Sequence, residues 1–260
     1  MSDFRIDKIT NRVGDAGTQI AGISTCSGTS GMIMPGGSTE FRGGRGRAVF
    51  LRGYTPTIYA IMDYVEIATT GNAKDFGDTV GSYVQFAAAG SATRGIVSGA
   101  NTPAGESWYY TFSSGGGVSD FGDQTVVRRG TGACNDSTRA LFGGGAPGPV
   151  VNVIDFFTFT TTGDASDFGD LTKAARQMAG CSSPTRGIFA GGYSPVNNII
   201  DYVTIQSTGN AKDFGDLTVA RGSFSGGSNT TRGLFASGLN NPTNYNIIDY
   251  VTIASTGNAT

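Results

Sequence analysis

The tetrad Asp-Phe-Gly-Asp contains the residues of this sequence whose types and spacing could most readily do chemistry. It begins at four positions, Asp75, Asp120, Asp167 and Asp213. Two carboxylates three residues apart, such as Asp213 and Asp216, offer the oxygen ligands that Ca2+ takes, but a calcium site needs six or more of them. The simpler interpretation is a structural turn, with Phe as a buried anchor, Gly in an unusual backbone conformation and Asp accepting backbone hydrogen bonds.

The sequence contains few residues of the types that catalyse reactions. Its 260 residues include no His, which excludes Ser-His-Asp and Cys-His catalysis and histidine metal sites. Protein kinases hold Mg2+ with Asp-Phe-Gly, but this chain has neither their phosphate loop nor their catalytic loop. Cys26, Cys134 and Cys181 are too far apart for a Cys-X-X-Cys site. The sequence therefore predicts a non-enzymatic protein with no catalytic residue, no metal site and no cofactor.

The overall composition predicts a packed globular protein. Hydrophobic residues make up 38% of the chain and charged residues 15%, while Gly is unusually abundant at 42 residues. A net charge of −2 gives no general attraction to nucleic acid or anionic lipid. The arginines of Phe41–Arg47 could bind RNA, but a solvated loop is the simpler interpretation. The N-terminus lacks the apolar region of a signal peptide, and no apolar run spans a membrane, so we expect synthesis in the cytoplasm.

Three landmarks recur along the chain and define its repeat. The tetrads are spaced 45, 47 and 46 residues apart. A strand-like segment that contains an arginine occurs five times, at Arg47, Arg94, Arg139, Arg186 and Arg232. A second strand-like segment follows each of these and contains Asp63, Trp108, Asp155, Asp201 or Asp249. Repeats of 40–50 residues that read as four short strands are typical of propeller blades.

We therefore predict an all-β fold, a five-bladed β-propeller of four-stranded blades at residues 39–260, preceded by an N-terminal leader at residues 1–38. In the third strand of the fifth unit, successive side chains alternate between the two faces of the sheet. This places Ile248, Tyr250 and Thr252 on one face and Asp249, Val251 and Ile253 on the other. The tetrad phenylalanines are expected to lie in the core between blades: Phe76, Phe121, Phe168 and Phe214. The five repeated arginines are expected to pair with an Asp or a carbonyl rather than with a ligand. Cys134 and Cys181 are equivalent positions on a crowded inner strand.

These residues resemble the Kelch family of β-propellers over about residues 40–260. The Gly-Gly doublet of that family is present as Gly143-Gly144 and Gly191-Gly192. The third-strand aromatic is present in every unit, as Tyr64, Tyr109, Phe156, Tyr202 and Tyr250. The usual Trp anchor is replaced by the tetrad phenylalanines. The resemblance implies a Kelch-like five-bladed propeller.

A second resemblance is to the repeat proteins of marine bacteriophages, cyanophages among them. Their repeats contain motifs similar to three that recur here: Asp-Phe-Gly-Asp-Leu, Thr-Arg-Gly-Leu-Phe-Ala and Ile-Asp-Tyr-Val-Thr-Ile. The segment Gly28–Arg47 is similar to the N-terminal portions of phage fibres. It implies a virion structural protein, a capsid or tail appendage able to contact the host surface. The implied partners are other virion proteins, bound through the N-terminal segment, in a homo-oligomer or in many copies per particle. The implied location is the virion.

The variable loops between the second and third strands of each unit are the candidate binding loops. Each contains Pro, and Tyr and Asn on stiff loops suit the recognition of a sugar or a protein. The candidate residues are Tyr54, Tyr59, Asn101, Tyr193, Asn197, Asn198, Asn240, Asn241 and Tyr245. An alternative function is therefore a free-standing lectin-like propeller that binds carbohydrate or protein, and exposed turns without a ligand remain a third interpretation.

The N-terminus is a candidate for completing the ring, because the fifth unit lacks its outer strand after Thr260 and the first lacks an obvious inner strand. Ser2–Asp7 shares Ser-Asp-Phe with Val118–Asp123, and Ala21–Gly28 resembles Ala179–Gly187. One hypothesis is that the N-terminal strand joins the last blade as a clasp, which removes exposed strand edges. Two others stay open: the leader anchors the protein in a larger particle, or a neighbouring subunit supplies the strand.

Overall fold

A computed structural model describes residues 46–51, 54–55, 57–81, 85–100, 105–146 and 148–260, which all belong to one unit, Phe41–Thr260. Their regular structure is all β, arranged as a five-bladed propeller of small antiparallel sheets. The predicted fold class is confirmed. No helix in this part of the chain is long and apolar enough to cross a membrane.

Blades two, three and four each contain four antiparallel strands, in sequence order from the inner to the outer edge. Blade two consists of β6 (Ala87–Gly90), β7 (Arg94–Ser98), β8 (Glu106–Thr111) and β9 (Ser119–Asp123). Blade three consists of β10 (Gly132–Asn135), β11 (Arg139–Gly143), β12 (Val153–Thr158) and β13 (Ser166–Asp170). Blade four consists of β14 (Ala179–Ser182), β15 (Arg186–Tyr193), β16 (Val196–Thr204) and β17 (Lys212–Asp216).

Blades one and five contain three strands each among the described residues. Blade one consists of β1 (Arg47–Leu51), β4 (Ile61–Glu66) and β5 (Lys74–Asp78), with the small hairpin of β2 (Tyr54–Thr55) and β3 (Thr57–Ile58). Blade five consists of β18 (Ser225–Ser228), β19 (Arg232–Ala236) and β22 (Ile248–Thr252), with the small hairpin of β20 (Leu239–Asn240) and β21 (Thr243–Asn244). Beside β22, Thr260 exchanges two backbone hydrogen bonds with Tyr250, at the position where Lys212 pairs with Tyr202 in blade four.

The core lies between neighbouring blades, because each sheet buries residues on both faces. Phe214 from the outer strand of blade four packs in one cluster with Val251 and Ile253 of blade five. Phe168 of blade three packs in the same way with Val203 and Ile205 of blade four. All four tetrad phenylalanines are buried, so their predicted place in the inter-blade core is confirmed. The alternation predicted for β22 is also observed, with Asp249 and Val251 buried and their neighbours exposed.

Candidate functional site

One end of the ring contains the loops between second and third strands together with the connections from one blade to the next. This follows from the strand order, because both kinds of segment leave the sheets at the same end. We call this end the loop face. Since loops displayed by a rigid scaffold are common binding sites, the contacts that hold these loops decide what the loop face can do.

A buried ion pair holds the loop of blade five at its base. Arg221, in the connection from blade four, contacts the Asp249 carboxylate at 2.9 Å. The same guanidinium donates to the carbonyl of Ser237 at 2.8 Å, where the loop begins, while the amide and hydroxyl of Thr218 donate to Asp249. The charges are fully buried and hydrogen-bonded, so they fix the loop base in one arrangement.

An equivalent ion pair holds the loop of blade three. Arg128 contacts Asp155 at 2.6 Å, with both side chains fully buried. Its guanidinium also donates to the carbonyl of Gly144 at 2.8 Å, again at the start of the loop, and Thr125 donates to Asp155. The repeat analysis missed Arg128 and Arg221, although each stands five positions after the last Asp of a tetrad.

Blade four lacks this arginine and closes its loop differently. Ala175 occupies the place of Arg128 and Arg221, and the buried Asp201 accepts hydrogen bonds from the amide and the hydroxyl of Thr172. Burial raises the pKa of Asp201 above its usual value, and the nearby Asp213 raises it further, while the hydrogen bonds from Thr172 act in the opposite direction. Here β15 and β16 extend into a tight hairpin in which Tyr193 pairs with Val196.

The candidate binding residues of blade four differ in exposure, because Tyr193 is partly exposed whereas Asn197 is buried. Tyr193 is half-buried on the hairpin. Asn197 is buried, and its side-chain amide donates to the carbonyl of Pro195 and accepts from the backbone of Ile199. The carbonyl of Asn198 accepts a hydrogen bond from Leu217. The Asn197 side chain is therefore engaged in shaping the hairpin, a role that the sequence did not indicate.

The other candidate binding residues that the structure describes lie on the loop face, in blades one and five. Tyr59 is 47% exposed, Asn240 ends β20, Asn241 is exposed, and Tyr245 is half-buried and donates its amide to Gly238. Tyr54 begins β2. Asn101 lies outside the described residues. Binding by these residues stays a prediction.

The repeated arginines join each blade to the next. Arg186 stacks over Tyr202 of its own blade at 4.4 Å and donates to the carbonyl of Ile253 in blade five at 2.9 Å. The same arrangement recurs three times, for Arg47 with Phe112, Arg94 with Phe159 and Arg139 with Ile205. Of the two partners that the sequence left open, four of these arginines thus take the carbonyl, whereas the buried Asp155 and Asp249 pair with Arg128 and Arg221. Arg232 stacks over Tyr250 and donates to no carbonyl among the described residues.

Small residues line the ring axis, as the positions of Cys134 and Cys181 predicted. Both cysteines lie on inner strands and are buried, and burial raises the pKa of Cys134 well above its usual value. A cavity of about 370 Å3 follows the axis. Its polar side chains bond from blade to blade: Ser182 donates to the carbonyl of Asn135, and Ser228 donates to the carbonyl of Ser182. These groups therefore serve ring assembly.

The described residues contain no group of three or more Cys, Asp and Glu side chains placed to hold a metal ion. Each tetrad instead forms a strand, with a register shift opposite the third-strand position of Asp201 or its equivalent. In comparisons with known proteins, no protein-family model matches the chain, and no curated protein matches it.

Proposed function

We propose that the protein is a non-enzymatic structural protein of a bacteriophage virion, a capsid or tail appendage able to contact the host surface. The observation that carries this proposal is how the ionisable side chains are used. The buried pairs Arg221–Asp249 and Arg128–Asp155 fix loops, and four of the five repeated arginines bond to the next blade. Groups committed in this way support a rigid scaffold. The similarity of the repeats to those of phage proteins supports a virion role, and the Kelch-like pattern supports a propeller scaffold.

In this proposal the propeller displays its loop face, and the partners are other virion proteins, bound through the N-terminal segment. The protein is present in many copies or as a homo-oligomer in the particle. The ligand of the loop face would be a glycan or protein of the host surface, since exposed Tyr59 and half-buried Tyr193 offer aromatic surface beside amide groups.

The test is quantitative mass spectrometry of density-purified phage particles from the source of this gene. We expect a fixed ratio of this protein to the major capsid protein, with a copy number that separates a vertex or tail position from general surface decoration. Absence from washed particles would overturn the proposal.

The second candidate is a free lectin-like propeller, which the aromatic residues of the loop face favour. It predicts that the isolated protein binds glycans on an array and that Tyr59→Ala and Tyr193→Ala weaken this binding. Thr208→Ala, at the exposed turn on the opposite end of blade four, is the matched control. Glycan binding by a protein that is absent from particles would favour this candidate.

A further inference from the structure

The opening between blade five and blade one is apolar on both sides. Five of the eight exposed large hydrophobic side chains in the described part of the chain flank it: Phe50, Ile67, Leu234, Ile248 and Tyr250. Ile248 is 65% exposed although its equivalent in blade four, Ile200, is fully buried. Exposed apolar side chains that cluster in this way mark an interaction site.

The turn on the blade-one side of the opening repeats the sequence of a turn in blade four. Thr70–Asp78 and Thr208–Asp216 have identical sequences, and each turn joins the third strand of its blade to the outer strand in the same register. The equivalent residues are Gly71 and Gly209, Asn72 and Asn210, and Ala73 and Ala211. The two turns therefore offer the same backbone and side-chain groups to a neighbour.

In blade four, this turn holds the outer strand of blade three by hydrogen bonds. The amide of Gly209 donates to the carbonyl of Phe168 at 2.7 Å, and the amide of Ala211 donates to the carbonyl of Asp170 at 2.7 Å. In return, the amide of Asp170 donates to the side-chain oxygen of Asn210 at 3.0 Å. The turn thus binds an extended segment through two donors and one acceptor.

The same interface also selects the side chains of the segment. The ring of Phe168 packs in one cluster with Val203 and Ile205 of blade four. The next residue, Gly169, has φ of +141°, and a Cβ there would lie 2.6 Å from the carbonyl oxygen of Gly209. A larger residue would be strained at this position and would collide with the turn. The turn therefore fits an aromatic residue followed by glycine.

In blade one the equivalent groups are open to a partner. The amides of Gly71 and Ala73 donate to no residue that the structure describes. Ile67 is 63% exposed, whereas its equivalent Ile205 is fully buried. Val65 and Ala73 line a cavity of about 240 Å3 beside the turn, and their equivalents in blade four pack in one cluster with the aromatic ring of blade three.

We propose that the opening binds an extended segment of another protein in which an aromatic residue, glycine and aspartate follow one another. The segment adds to the sheet of blade five beside β22, which is the last strand of that sheet among the described residues. Its carbonyls accept hydrogen bonds from Gly71 and Ala73, and its aspartate amide donates to the side chain of Asn72. Its aromatic ring packs against Ile67. This proposal does not depend on the proposed function.

The use of the tetrads favours a different protein over a second copy as the partner. Each of the four tetrads already forms the outer strand of its own blade, in blades one to four. Among the described residues, a second copy therefore has no segment of the required pattern to donate without opening one of its own blades.

Fluorescence anisotropy of a labelled synthetic peptide, titrated with the full chain, tests the proposal. The peptide is Ala-Ser-Asp-Phe-Gly-Asp-Leu, the sequence of residues 165–171, and we expect saturable binding of one peptide per chain. Phe168→Ala or Gly169→Val in the peptide should weaken binding by about tenfold or more. The first change removes the buried ring, and the second places a side chain against the turn.

Two variants of the full chain locate the binding site. Ile67→Asp places a carboxylate against the aromatic ring of the peptide and should weaken binding by about tenfold or more. Val80→Asp is the matched control, because Val80 is 66% exposed but lies in the connection from blade one to blade two, and it should leave binding unchanged. The peptide variants test the same pattern without any change to the protein.

Three outcomes would overturn the proposal. No binding of the peptide to the full chain would show that the opening does not accept a segment of another protein. Equal binding of the peptide to Ile67→Asp and to Val80→Asp would place the peptide elsewhere on the molecule. A dimer of the full chain in sedimentation that Ile67→Asp dissociates and Val80→Asp does not would show that a second copy fills the opening.

Discussion

The interface between blades four and five and the opening between blades five and one are built from equivalent residues with opposite exposure. Ile253 and Phe235 are fully buried at the first, while their blade-one equivalents Ile67 and Phe50 are 63% and 55% exposed. At the filled interface the outer strand of blade four supplies the Phe214 ring and two backbone acceptors. The tetrad strand therefore contributes both a buried side chain and backbone hydrogen bonds to the contact between neighbouring blades.

The largest expected effect is the removal of the anchor at the filled interface. Phe214→Ala leaves a cavity among packed residues of two blades, so we expect a loss of about 4 kcal/mol in the free energy of unfolding. Denaturation in urea measures it, with Ile67→Ala as the comparison. A loss below about 1 kcal/mol would contradict the role given to the tetrad phenylalanine.

The buried ion pair of blade five should give the next largest effect. Asp249→Ala leaves the Arg221 guanidinium buried without its anion, and we expect a loss of about 3 kcal/mol. The double variant Arg221→Met with Asp249→Leu should lose less than the single variant, because no unpaired charge remains. Urea denaturation of the three chains provides the comparison, and a double variant that is less stable than Asp249→Ala would contradict this account.

The repeated arginines compare the two interfaces directly. Arg186→Gln removes a charged hydrogen bond to Ile253, and we expect a loss of about 1–2 kcal/mol. Arg232 stacks over Tyr250 but donates to no carbonyl among the described residues, so we expect Arg232→Gln to cost less than Arg186→Gln. Thermal unfolding of both variants measures the difference, and equal losses would contradict the role given to the bond between Arg186 and Ile253.

Asp201 should give the smallest effect at neutral pH and a distinct pH dependence. Its folded-state pKa is raised by burial, so the folded protein binds this proton more tightly than the unfolded chain. The stabilising contribution is complete below the unfolded pKa of about 3.8 and is lost as pH rises through the folded value. Asp201→Asn should therefore become more stable relative to wild type as pH rises above about 3.8. A pH-independent difference would contradict the assignment.

The sequence predicted the repeated features of the fold, because a repeat displays each of them several times. The regular spacing of the tetrads and of the strands that contain the repeated arginines indicated five blades. The alternation around Asp249 indicated which face of β22 is buried. The buried arginines Arg128 and Arg221, which pair with the aspartates, were not predicted. Ala175 occupies the equivalent position between them, so the arginine does not recur in every repeat. The sequence predicts a loop position for Asn197, since nothing local indicates that β15 and β16 extend past Gly192. The close approach of the tetrad glycines to the next blade is not indicated by the sequence either: a Cβ on Gly215 would lie 2.5 Å from the carbonyl oxygen of Gly257.

Amide hydrogen exchange of the full chain tests the comparison of the two interfaces most directly. The amides of Gly257 and Ala259 donate to the outer strand of blade four, so the account predicts that both are protected. Gly71 and Ala73 are their equivalents in blade one, and among the described residues neither amide has an acceptor, so both should exchange faster. Exchange of Gly257 and Ala259 as fast as that of Gly71 and Ala73 would contradict the account.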